Sequence, residues 1–75
     1  MYKVGQWLKC KQTGELAEIC DVYQDSSGYS IYTLLSYEYD GVYGDFYEHE
    51  ITELFDLCRM AQILYGNKAS GGKHE

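Results

Sequence analysis

The residues with reactive side chains are mostly carboxylates, with one internal histidine among them. His49 stands between Glu48 and Glu50, and Asp45 lies three positions before Glu48. Pairs such as Glu48/Glu50 or Asp45/Glu48 are of the types used for general acid–base work. That chemistry needs the two groups in different environments, one of them raised in pKa by apolar burial. A chain of 75 residues with this many acids offers most of them water instead. Nucleophilic catalysis fares no better. No nucleophile-elbow motif surrounds Ser26, Ser27 or Ser30, and Gly71-Gly72 has none of the residues of a phosphate-cradling loop. No catalytic residue is assigned, and the chain is expected not to be an enzyme.

Metal and redox chemistry are also unsupported. Cys10, Cys20 and Cys58 are widely spaced, with no C-x-x-C pair of the kind a zinc site uses. His49 supplies one ligand at most, and His74 lies in the tail. No cofactor and no metal are expected. Three distant cysteines do not make a disulfide framework, and Met1-Tyr2-Lys3-Val4-Gly5 does not open a signal peptide. A reducing cytoplasm is the expected location. Cys10 and Cys20 fall within apolar alternations and are expected to act as small core hydrophobes. No apolar run is long enough for a transmembrane helix.

Charge is the strongest signal. The formal net charge is −6, and its distribution is one-sided. Between Gln12 and Cys58 there is no Lys or Arg, while eleven acids occur: Glu15, Glu18, Asp21, Asp25, Glu38, Asp40, Asp45, Glu48, Glu50, Glu53 and Asp56. Shuffling the charges would give so long a one-sign run in only roughly a few arrangements per thousand. Like charges repel and destabilise a compact state, and a domain gaining only solubility would intersperse both signs. The run predicts a negative surface that meets a positive partner. Nucleic acid is disfavoured as a direct ligand, because phosphate binding wants clustered Lys and Arg, and direct RNA binding stays as a minor alternative.

Tyrosine follows the same stretch, with Tyr23, Tyr29, Tyr32, Tyr37, Tyr39, Tyr43 and Tyr47 all inside it. Alternation places some of them in a core. The rest offer rigid contact area and ring faces for Lys and Arg.

These side chains must be positioned by strands. Trp7 to Lys11 alternates as a first strand, and Thr13-Gly14 marks a turn. Leu16 to Tyr23 is a second strand whose apolar phase slips between Ile19 and Val22, as at a β-bulge. Residues 24–28 are a loop. Tyr29 to Tyr39 is a third strand, with Ile31, Thr33, Leu35 and Tyr37 on one face and Tyr32 and Leu34 on the other. Asp40-Gly41 predicts a tight type I′ hairpin into Val42 to Tyr47, where Gly44 marks a bulge or close approach. From 50 to 65 the pattern supports two readings. In one, Ile51, Leu54, Phe55, Cys58, Ala61 and Tyr65 lie on a single long helix. In the other, Glu48-His49-Glu50 is a short turn, Ile51 to Phe55 a last strand, and Leu57 to Tyr65 a short helix capped by Asp56. Residues 66–75 are small and polar, and are expected to be a disordered tail on a single domain of residues 1–65.

The order of these features resembles a known family. Val4-Gly5-Gln6-Trp7 leads to Gly14-Glu15-Leu16-Ala17-Glu18-Ile19, which is similar to the G-x-x-G-x-I turn and strand of SH3-like barrels, with Ala17 replacing the second glycine. The stretch from Asp45 to Leu54 resembles the Y-F/Y-x-E-H-E-L ending of small SH3-like proteins of phages and prophages, the YorP type. The likeness covers residues 4–55. It implies a mainly β fold, a five-stranded SH3-like barrel with a short C-terminal helix, and it selects the strand over residues 51–55. The alternative is an α+β fold, an antiparallel sheet with one helix over 50–65. No catalytic residues come with the family.

Together these features predict a phage-type protein that binds and inhibits a basic, DNA- or RNA-binding host protein by mimicking nucleic acid. Its contact residues are expected to be Glu38, Asp40, Asp45, Glu48, Glu50, Glu53, Tyr37, Tyr39 and Tyr43. Carboxylates on alternate strand residues lie about 6–7 Å apart, close to the phosphate spacing of a nucleic-acid strand, and Glu48/Glu50 and Glu38/Asp40 have that sequence spacing. The alternative is a small adapter or assembly subunit, homodimeric in one form, with apolar contacts through Trp7, Leu57, Met60 and Leu64.

Overall fold

The computed structural model describes residues 2–38 and 41–65. The chain runs through β1 (Trp7–Cys10), β2 (Leu16–Gln24), β3 (Ser30–Ser36), β4 (Val42–Tyr47), α1 (Glu48–Leu54), β5 (Phe55–Leu57) and α2 (Arg59–Tyr65). All five strands belong to one antiparallel sheet, in the order β4-β3-β2-β1-β5. The fold is mainly β with a short C-terminal helix, as expected. The first four strands form a meander, and the fifth returns to the free edge of β1. The edge strands β4 and β5 meet through side chains: Phe46 and Phe55 lie edge to face at 5.4 Å, and Tyr43 meets Phe55 at 5.8 Å. No helix among the described residues is long and apolar enough to cross a membrane.

Strand alternation sorts the side chains onto two faces. Leu8, Ala17, Ile19, Tyr32, Leu34, Ile51 and Phe55 form the core cluster, and the pairs Leu8↔Ala17 and Ile19↔Leu34 lie directly opposite one another on that face. Burying a Leu or Ile side chain of this kind stabilises the fold by about 1.5–3 kcal/mol. The register shifts between Ile19 and Asp21, where the apolar phase slips. The extra residue, Cys20, returns Val22 to the core side, opposite Tyr32. A second shift lies between Leu34 and Leu35, which face Gly44 and Val42. Gly44 makes a close approach there: a Cβ would sit 3.0 Å from the Phe46 ring, which would have to shift by a few tenths of an ångström. The expected Asp40-Gly41 hairpin pair involves a residue outside the described ones, as do Tyr39 and the tail from 66 to 75. The β3–β4 connection closes with the Ser36 N–H donating to the Gly41 carbonyl at 3.0 Å.

Residues 51–54 correct the expectation of a strand. The two-turn helix α1 extends through Leu54, and the strand begins at Phe55. A strand over Ile51–Phe55 would put Glu53 on the face of Ile51 and Phe55 and bury its charge. The helix instead brings Ile51 and Phe55 together, four residues apart. Both are buried, while Thr52 and Glu53 are exposed. The continuous helix over 50–65 does not form either. Phe55, Asp56 and Leu57 pair with Cys10, Lys9 and Leu8, satisfying the edge of β1. Leu57, Met60 and Leu64, the apolar contacts expected of an adapter, are exposed.

The outer face of the sheet has a cover of its own. Trp7 lies opposite Glu18 and both are fully buried, although neither belongs to the main cluster. The ring of Trp7 contacts Tyr37 at 5.8 Å and Tyr65 of α2 at 5.7 Å, and those tyrosines stand 4.5 Å apart. Trp7 is thus part of the fold and not the free contact residue expected of it. Cys10 and Cys20 are half-buried free thiols; Cys10 packs against the core cluster, as expected, and Cys20, at the bulge, does not belong to it. Hydrogen bonding by Thr13 is the main reason the Cys10 thiol is held below its ordinary pKa, and burial pushes the Cys20 thiol up.

The crowding at Gly44 sets a test of this packing. Gly44→Ala is expected to lower stability by about 1–3 kcal/mol, because the Phe46 ring is confined by Tyr43 and Phe55. Gly41→Ala, with open space around it, is expected to stay within about 0.5 kcal/mol of wild type or to stabilise slightly. Urea unfolding of the two variants checks both values.

Candidate functional site

The expected contact residues do not form one face. Ile31, at the start of β3, lies opposite Tyr47, and Tyr37 and Glu38 follow β3 at its other end. Six strand residues separate the ends, about 20 Å. Tyr37 packs beside Trp7 and Tyr65, and Glu38 is exposed, with its N–H donating to Ser36 Oγ at 3.1 Å. Tyr39 and Asp40 lie outside the described residues. Tyr43 turns to the core side, and its hydroxyl donates to Glu15 Oε1 at 2.9 Å. Burial, then that bond to Glu15, pushes the Tyr43 phenol well up. Glu18 is fully buried. Tyr43, Glu15 and Glu18 are therefore occupied within the fold.

Glu50 also has a structural task. Tyr47 is the N-cap of α1, and its N–H donates to Glu50 Oε1 at 2.8 Å. This is the reciprocal half of a capping box, and it places Glu48 and Glu50 in the first turn, where the helix dipole favours negative charge. Glu48 and Glu50 are thus helical neighbours and not alternate strand residues, so the phosphate-like strand spacing does not apply to them.

Glu48 and Glu53, by contrast, reach a site that the sequence did not single out. Two adjoining clefts of about 510 and 500 Å³ lie on either side of Tyr29, Tyr47 and His49, which line both. One is completed by Ser30, Glu48, Thr52 and Glu53, the other by Asp25 and Ser27. On α1, residues 48, 49, 52 and 53 form one stripe, because helical neighbours recur at three and four positions. That stripe is one wall of the groove. The other wall comes from the β2–β3 loop and the end of β4.

Asp25 builds the second wall. Its Oδ1 accepts the N–H groups of Ser27 at 2.8 Å and Tyr29 at 3.0 Å, and its Oδ2 accepts the Tyr47 hydroxyl at 2.9 Å. The loop turns at Gly28, whose φ of 92° is left-handed and costs a glycine little. Tyr29 then lies edge to face with Tyr47 at 6.5 Å, and His49 stacks on Tyr47 at 5.9 Å with 13° between the planes. Desolvation pushes the Asp25 carboxyl up, but the bonds from Tyr47, Tyr29, Ser27 and Gly28 outweigh it and leave the pKa lowered. The bond to Asp25 is the largest cause of a raised Tyr47 phenol.

Asp45 lies on the outer face of β4, opposite Thr33, which in turn faces Asp21 on β2. Its Oδ2 accepts the Tyr23 hydroxyl at 3.2 Å. Desolvation and then the charge of Asp45 raise the Tyr23 phenol. A negative region therefore runs from the outer face of β2–β4 to the groove at its end. Among the described residues no three His, Cys, Asp or Glu side chains gather to hold a metal ion. The one signal that could have located the groove is the pairing of Ile31 with Tyr47, which brings Tyr29 and Tyr47 to the same strand ends. It depends on strand register, which is not written in either segment alone.

In comparisons with known proteins, no family model, no curated protein and no solved structure matches this chain significantly.

The Asp25 cluster has a defined pH signature. A carboxyl whose folded pKa lies below its ordinary 3.8 adds stability that is present above that value and is lost as pH falls through the folded one. Wild type is expected to exceed Asp25→Asn in urea midpoint at neutral pH, with the gap closing as pH falls below about 4. A gap that stays constant into strong acid would show that the charge of Asp25 contributes nothing.

Proposed function

We propose that this chain is a non-enzymatic binding module of the phage type. It inhibits a basic nucleic-acid-binding protein of the host cytoplasm by occupying the cationic groove that would otherwise take DNA or RNA. The reading rests on one observation: Asp21, Asp25, Asp45, Glu48 and Glu53 are gathered with Tyr23, Tyr29 and Tyr47 on one outer face and its end, in a stretch without Lys or Arg. Carboxylates of one sign raise the potential that steers a cationic partner, and the tyrosines supply contact area once it arrives. The likeness to nucleic acid is one of charge and not of regular phosphate spacing. Association is fast, and it weakens steeply as salt screens the charges.

A second reading has its own observation. Met60, Ile63 and Leu64 on α2 are 62%, 76% and 64% exposed, and Leu57 before it is half exposed. An adapter or homodimer would use this apolar strip, with charge serving solubility, and its contacts would be indifferent to salt.

The two readings separate in an affinity capture from nuclease-treated bacterial lysate, eluted by a salt gradient and identified by mass spectrometry. The double variant Glu48→Lys/Glu53→Lys serves as control. Glu50 is left intact, because its carboxylate caps α1. A basic nucleic-acid-binding protein is expected to leave at moderate salt and to be displaced by added DNA. The variant is expected to bind it at least about tenfold more weakly. Partners that resist salt and ignore both lysines, or self-association alone, overturn the inhibitor reading in favour of the adapter.

A further inference from the structure

Resting on that reading, we propose that the groove between α1 and the β2–β3 loop is an arginine-recognition site, in which the guanidinium of a basic partner segment packs on Tyr29 and Tyr47 between the carboxylates of Glu48 and Glu53. The chemistry of the walls selects this occupant. The floor is aromatic: Tyr29 is two-thirds exposed and stands edge to face with Tyr47, on which His49 stacks, so Tyr29 offers the more open ring. Glu48 and Glu53 line the first cleft and Asp25 the second, and no Lys or Arg lines either; the nearby Lys11 ammonium is held by the Thr52 carbonyl at 3.2 Å, so the balance of charge disfavours an anion. A neutral apolar ligand would cover the carboxylates and strip their water without compensation. A bare metal ion has no set of three ligands there among the described residues.

A cation with a flat face remains. Guanidinium is planar and weakly hydrated, stacks on aromatic rings, and offers paired N–H donors to a carboxylate. A lysine ammonium is compact and strongly hydrated, and has no face to lay on a ring.

The division of labour among the acids supports the same occupant. Asp25 is mostly engaged within the fold, with Oδ1 accepting two backbone N–H groups and Oδ2 accepting the Tyr47 hydroxyl. It fixes the loop and the Tyr47 ring and adds charge to the second cleft, while Glu48 and Glu53 line the first. Glu48 and Glu53 stand five residues apart at opposite ends of the α1 stripe. Both line the same cleft as the two rings, and either carboxylate can accept from the guanidinium fork. The site is thus set before binding by the Asp25 turn and by the helix that Glu50 caps, which lowers the ordering cost of capturing a side chain.

The test uses blocked Gly-Arg-Gly, Gly-Lys-Gly and Gly-citrulline-Gly peptides, titrated into the full chain at low salt and followed by heteronuclear NMR. A decalysine peptide serves as a separate probe of the acidic surface. Shifts from the arginine peptide are expected to centre on Tyr29, Tyr47, His49 and Thr52. Its affinity is expected to exceed that of the lysine peptide by about threefold or more, with the neutral citrulline peptide weaker still. Tyr29→Ala, at an exposed position that leaves the core untouched, is expected to weaken arginine binding about two- to fivefold. Glu53→Gln is expected to weaken it by a similar factor, about two- to fivefold. Equal binding of arginine and lysine, shifts centred elsewhere, or indifference to Tyr29→Ala overturns the arginine site. Self-association that Arg59→Ala abolishes overturns the separate basic partner as occupant, since the arginine of a second copy would then fill the groove. Decalysine binding that collapses with salt would still leave the inhibitor reading standing, and failure of every cationic probe removes both.

Discussion

Ile51 and Phe55 are four residues apart, and both are buried in the cluster with Leu8, Ile19, Tyr32 and Leu34. Only a helix over the intervening residues brings both into that cluster while keeping Glu53 in water. This requirement sets the path from β4 back to β1. It turns Glu48–Leu54 into α1, delivers Phe55–Leu57 to the open edge of β1, and draws Phe46 and Tyr43 of β4 against Phe55. The wall of the groove is a by-product of the same packing. Once Ile51 faces inward, residues 48, 49, 52 and 53 are left on the stripe that meets Tyr29 and Tyr47.

The sheet is covered on both faces, but unequally. Its inner face carries the aliphatic core. Its outer face is covered at one end by α2, through Ala61 and the rings of Trp7, Tyr37 and Tyr65. At the other end the outer face is open, and there the acids collect. The acidic run is consequently divided by depth. Glu18 lies buried opposite Trp7, Glu15 holds the Tyr43 hydroxyl, and Glu50 caps a helix, so these carboxylates serve the fold. Asp21, Asp45, Glu48 and Glu53 remain toward solvent as surface charge. Asp25 belongs to both groups, since its bonds order the loop while its charge stays at the groove.

Much of the strand scaffold was legible from local pattern. The slip between Ile19 and Val22 marks the bulge at Cys20, and the alternation of Tyr32 and Leu34 marks the inner face of β3. Both follow from the period of two, which a strand carries within itself. Gly44 was legible for a similar reason, since a glycine inside a strand points to a close approach. Residues 51–57 were not legible, because short apolar spacings satisfy helix and strand alike. The deciding term there is which partner buries Ile51 and Phe55, and that partner is distant in sequence.

The amino-acid sequence by itself determined the strand-rich class, the single-sign charge between Gln12 and Cys58, and the concentration of tyrosine in the same stretch. Composition and short-range periodicity are properties of the chain before it folds. Tertiary structure alone decided which acids face water, that Trp7 lies under α2, and that Tyr29, Tyr47 and His49 converge between Asp25 and Glu53. Those outcomes depend on strand register and on the packing of segments some twenty residues apart. A carboxylate or a ring acquires its role from what the opposing segment places against it, and no local pattern carries that information.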